Sequence, residues 1–96
     1  MKYTPVSEEE AQAIASLQEW SVEESVLVRE FRLGSFAAIP AFVSQVVAAS
    51  ERLNHHPDLD IRYPDRVTVR LTTHAIRGLS TLDVQLADEI AGFARD

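Results

Sequence analysis

The chain has 96 residues, 46% of them hydrophobic and 25% charged, and a formal net charge of −6. This is enough for one domain, expected to span 1–96, and the acidic balance argues against a DNA- or RNA-binding surface, which is normally basic. With no cysteine in the chain, disulfides, thiolate catalysis and Cys-based zinc sites are excluded together.

The first residues, Met1 to Pro5, run into Glu8-Glu9-Glu10 with no apolar leader or cleavage site, so a cytoplasmic address is the default. Ser7-Glu8-Glu9-Glu10 is a capping box that starts a first helix at Ser7. It carries Ala11, Ile14, Ala15 and Gln18 at helical spacing and should end near Leu17 to Glu19. A β segment from Ser25 to Leu33 follows, with Leu27, Phe31 and Leu33 on one side and Glu30 and Arg32 on the other.

Gly34-Ser35 breaks the chain before Ile39, Phe42, Val43, Val46, Val47, Ser50 and Leu53, which recur at the period of a central helix. Pro40 is tolerable only in a first turn, so this helix should begin near Phe36 to Ala38. Its far side offers Ala41, Ser44, Ala48 and Arg52, either a surface for close approach of a second subunit or a plain solvated face. From Leu33 to Ser50 no residue is charged, but Gly34, Ser35, Pro40, Ser44, Gln45 and Ser50 make the stretch too polar for a membrane span.

Asn54 can end the central helix, and Pro57 pushes His56 towards extended backbone. Asp60 to Tyr63 and Val67 to Thr72 then alternate as a hairpin about Pro64-Asp65-Arg66, with Val67, Val69 and Leu71 on one face. Ser80-Thr81-Leu82-Asp83 has the pattern of a second capping box, opening a last helix with Leu82, Leu86, Ile90 and Phe93 as its buried stripe. The order helix-strand-strand-helix-strand-strand-helix implies an α+β fold, an antiparallel four-stranded sheet covered by helices. Five arginines between Arg52 and Arg77 read as a solvated face that balances the acidic termini, because no aromatics interleave to stack bases.

The chemistry concentrates in Glu51-Arg52-Leu53-Asn54-His55-His56-Pro57 and in His74, which together hold all three histidines. Imidazole gives and takes protons near neutrality, so a gathering of the three suggests acid–base work. Metal binding is disfavoured, because adjacent side chains in extended backbone point to opposite faces and no i, i+4 histidine pair exists. The bland alternative has one histidine at the C-terminal end of the central helix, where a cation is favoured, and the others on the surface.

The residues also resemble a family. Glu51-Arg52-Leu53-Asn54-His55-His56-Pro57-Asp58, then Tyr63, Val67-Thr68-Val69-Arg70-Leu71-Thr72-Thr73-His74 and Gly78-Leu79-Ser80-Thr81-Leu82-Asp83 look like pterin-4a-carbinolamine dehydratase, clearly from about Phe36 to Ile90. The resemblance implies dehydration of a 4a-hydroxytetrahydropterin to the quinonoid dihydropterin, without metal or organic cofactor, in recycling of the pterin after an aromatic amino acid hydroxylase. It implies His55 and His74 as general acid and base, and His56 as a residue that holds the pterin. Asp83 has two readings, helix cap and active-site carboxylate. Glu51 matches a recurrent acidic position, and Pro57 shapes the turn that aims the histidines.

Two departures stand out. The family's Thr-His-Asp and Gly-Gly are replaced by Thr73-His74-Ala75 and Arg77-Gly78, and Phe31-Arg32-Leu33-Gly34-Ser35-Phe36 replaces a more aromatic and acidic segment. Members are usually homodimers or homotetramers, and relatives of the fold also act as a transcriptional dimerisation cofactor and as an enzyme assembly factor. A non-catalytic assembly or dimerisation module is therefore the competing expectation.

Overall fold

A computed structural model describes residues 2–16 and 18–94. The chain runs β1 (Pro5–Val6), α1 (Glu8–Ser16), β2 (Ser21–Glu23), β3 (Val26–Arg32), a 3-10 turn (Phe36–Ala38), α2 (Ile39–Leu53), β4 (Asp58–Arg62), β5 (Arg66–Leu71), a second 3-10 turn (His74–Ile76), β6 (Leu79–Ser80) and α3 (Thr81–Phe93). Four strands form one antiparallel sheet in the order β2-β3-β5-β4, the α+β arrangement expected from the element order. Leu27 pairs with Leu71 and Phe31 with Val67, so the alternate residues of β3 and β5 bury the same face. Onto it pack Ile39, Phe42 and Val46 of α2 and Leu86, Ala87 and Ile90 of α3. A ladder of rings, Trp20 to Phe31 at 5.8 Å and Phe31 to Phe42 at 4.9 Å, crosses from strand to helix.

Several boundaries differ from expectation for local reasons. Glu24 and Ser25 both adopt positive φ, 50 and 65, forming the tight turn that separates β2 from β3. Ser25 is therefore a turn residue, not the start of a strand, and the usual Asn-Gly signal of such turns is missing. In α1 Ala11 is fully buried but Ile14 is 41% exposed. The expected helix end at Leu17 and the side chain of Ala15 lie outside the described residues.

The chain enters α2 through the 3-10 turn, where Ser35 Oγ accepts from the Ala38 amide at 3.2 Å and Pro40 occupies the first turn. Ala49 is buried and Val47 half-exposed, because an unbroken 3.6-residue repeat drifts off the stripe drawn through Val47. Strand β4 begins at Asp58, two residues earlier than the spacing suggested, and β5 at Arg66. On α3, Leu82 and Phe93 are only half-buried while Ala87 and Ala91 are buried.

A two-stranded sheet that no sequence signal announced joins β1 to β6, Pro5 opposite Ser80 and Val6 opposite Leu79. Among the clustered arginines, Arg66 pairs with Glu30 across β5 and β3, Arg62 pairs with Asp60 along β4, and Arg52 pairs with Glu89 of α3. No helix among the described residues is long and apolar enough to cross a membrane.

Candidate active site

The end of α2 sets the positions of two histidines. Asn54 takes a left-handed conformation, φ 50 and ψ 45, which asparagine tolerates better than most residues. Its amide donates to Glu51 O at 3.2 Å while the His55 amide donates to Ser50 O at 3.0 Å. This reversed pair of bonds closes the helix and turns His55 inward, where it is 8% exposed, while His56 points outward. Pro57 is half-buried just before β4 and serves as the geometric stop.

The second anchor is the start of α3. Asp83, at the third position of that helix and 0% exposed, accepts the Ser80 amide at 2.9 Å through Oδ2, closing the capping box. The same oxygen accepts the Thr73 hydroxyl at 2.7 Å, and Oδ1 lies 2.5 Å from His55 Nε2. An ionised carboxylate only accepts, so against one His55 Nε2 carries the proton of this hydrogen bond. Thr73 spends its one proton on Asp83, so Ser80 Oγ donates to Thr73 Oγ1 at 2.7 Å. A buried carboxylate without partners would be costly, and these donors make it tenable. The helix-cap and active-site readings of Asp83 are therefore compatible in one side chain.

His74 arrives from the sheet. Thr73 and Gly78 form a narrow antiparallel pair, with the Thr73 amide 3.0 Å from Gly78 O, and the intervening 3-10 turn lifts His74 to the surface. Arg77 completes the turn at φ 50, in the region that favours glycine. The His74 side chain is exposed and makes no hydrogen bond among the described residues.

All three histidines line one open groove of about 240 Å³. Tyr3, Asn54, Thr72, Thr73 and Ala75 complete its wall. Glu51 does not line it; its carboxylate lies 2.5 Å from His56 Nε2 with both groups more than half exposed, so it steadies that ring from outside. Sequence reasoning missed Tyr3 and Thr73 as site residues. Tyr3 is delivered by the β1–β6 pairing and by the Thr81 amide, which donates to Thr4 O at 3.0 Å, across a separation that no local pattern encodes. Thr73 had a signal, its place beside His74 in the Thr-Thr-His run, but its role depends on Asp83. Among the described residues, no three His, Asp or Glu side chains stand together as a metal site. Chemically, the groove presents an imidazole backed by a buried carboxylate and, facing the same space, an exposed unpaired imidazole, a set suited to moving protons on a small polar molecule.

A family model described as pterin 4 alpha carbinolamine dehydratase matches residues 4–93. A Chloroflexus aurantiacus protein, provisionally named a pterin-4-alpha-carbinolamine dehydratase, is 47% identical over 85 residues, 85% of this chain and 90% of its own. A Nocardia farcinica protein with the same provisional name is 40% identical over 92% of each chain. A solved structure described as a transcriptional coactivator/pterin dehydratase from Brucella melitensis superposes with a TM-score of 0.86 at 25% identity, over 96% of this chain and 100% of that one. A pterin dehydratase-like protein described as a RuBisCO assembly factor in the alpha-carboxysome gives 0.64 at 21% identity, over 78% of this chain and 86% of that one, a likeness of fold alone.

Proposed function

Because this chain belongs to the pterin 4 alpha carbinolamine dehydratase family, we propose that it dehydrates a 4a-hydroxytetrahydropterin to the quinonoid dihydropterin, recycling the pterin after a hydroxylase has used it. The carbon–oxygen bond at position 4a breaks as the departing hydroxyl is protonated to water, while a ring nitrogen gives up a proton, so the reaction is proton-neutral overall. Positioned acid and base groups contribute about 10² to 10⁴ in rate to such a step. In this reading His55 and His74 are the acid–base pair, His56 holds the pterin, and Asp83 orients His55. Glu51 steadies His56 and Pro57 aims the turn. No metal or organic cofactor takes part, and the protein acts as a cytoplasmic homodimer or homotetramer.

One observation carries the proposal: His55, tied at 2.5 Å to the buried Asp83, shares a groove with the unpaired His74. The competing reading, a non-catalytic assembly or coactivator module, draws on the descriptions of the two solved structures. A scaffold has no need of three imidazoles lining one groove. The rate of 4a-hydroxytetrahydropterin loss, generated by a coupled hydroxylase, separates the two. Dehydration should be accelerated by the protein and reduced about 10²-fold or more in His74→Ala and His55→Ala. A folded protein that gives no acceleration would establish the assembly module instead.

A further inference from the structure

The histidine groove does not end at the histidines. His56, Thr72 and His74 also line a second depression, which continues over the open face of the sheet past Val26, Asp58 and Arg70. Asp58 and Arg70 are register partners on neighbouring antiparallel strands, which sets their Cβ atoms about 5 Å apart. Both side chains are exposed, and among the described residues neither makes an ion pair or a hydrogen bond. A free acceptor pair thus stands beside a free donor fork, one step from the proposed catalytic imidazoles.

We infer that Asp58 and Arg70 form a subsite that reads a hydroxylated side chain on the pterin ring. This rests on the dehydratase reading and deepens it. With the bicyclic ring held between His55 and His74, the substituent leaving it towards the sheet crosses Thr72 and reaches this pair. A carboxylate accepts hydroxyl protons and a guanidinium donates to hydroxyl oxygens, so adjacent hydroxyls satisfy both groups at once. Local charge selects against the obvious alternative, an anionic substituent on Arg70. Asp58 faces that arginine, and Glu23 and Glu24 share the next depression with it, so three carboxylates surround one cation. A neutral polyol meets no such repulsion. An apolar substituent leaves both groups solvated and gains nothing from them.

The test compares kcat/KM for two 4a-hydroxytetrahydropterins, one with a 6-methyl and one with a 6-(1,2-dihydroxypropyl) group, in the unmodified protein and in Arg70→Ala, Asp58→Ala and Arg70→Lys. The unmodified protein should prefer the dihydroxypropyl substrate by about tenfold. Both alanine variants should bring that ratio down to about twofold or less. Arg70→Lys, which keeps the charge and loses the fork, should fall between. Because each ratio is taken within one protein, a general loss of folded material cancels. A preference absent from the unmodified protein, or one that survives both alanine changes, overturns the inference while leaving the dehydratase intact. Failure to accelerate either substrate overturns the dehydratase reading itself, and the subsite with it.

Discussion

His55 and His74 share a groove but stand in different physical positions, and substitution should separate them. His74 is exposed and unpaired, so His74→Ala should change unfolding free energy by less than about 0.5 kcal/mol in urea titration. His55 is buried, and its removal leaves Asp83 Oδ1 without its partner. His55→Ala should therefore cost about 1–3 kcal/mol of stability as well as turnover. Equal stability costs in the two variants would show that the carboxylate is not dependent on His55. The turn that follows His74 carries its own strain. Arg77 holds φ 50 where glycine would sit without Cβ conflict, so Arg77→Gly should stabilise the protein by about 0.5–1 kcal/mol despite the greater freedom of glycine in the unfolded chain. A lower melting temperature for that variant would refute the argument.

Among the elements, α2 does most to build the site, because its termination aims both His55 and His56. The signal is Asn54, whose left-handed conformation permits the crossed bonds to Ser50 and Glu51. Asn54→Ala should cost about 1 kcal/mol and loosen the histidine pair, lowering turnover, whereas Asn54→Gly should keep both stability and rate close to the original. Thermal melting and initial rates on the two variants check this; equal damage from both would mean that the asparagine side chain, not the backbone conformation, matters. Helix α3 contributes through its first turn alone. The carboxylate that accepts the capping bond from the Ser80 amide also meets Thr73 and His55, so a folding device and a site device coincide.

For the whole molecule, the proposed homo-oligomer would cover exposed apolar surface. Val47 is 50% exposed on the outer face of α2 with Ala41, Ser44 and Ala48, and Ile61 is 46% exposed on the edge strand β4. An open strand edge and an apolar helix face both favour association. Light scattering should give the mass of a dimer or tetramer, and Val47→Glu should reduce it. A monomer across micromolar concentrations would remove the homo-oligomer from the proposal.

Much of this architecture was legible in the sequence because it is locally encoded. The two capping boxes, the period of α2, the alternation of β5 and the stop at Asn54 each depend on contacts within a few residues, and the His-His-Pro and Thr-His runs mark the residues proposed for the chemistry. The Glu24-Ser25 turn was not legible, since its backbone conformation lacks the residue types that usually announce it. Nor was the arrival of Tyr3 at the groove, or the identity of Asp83 as the partner of His55, 28 positions away. Pairings of this kind depend on where distant elements come to rest, and that is decided by burial of a common apolar face. Local spacing determined which residues were chemically capable; only tertiary packing decided which of them meet.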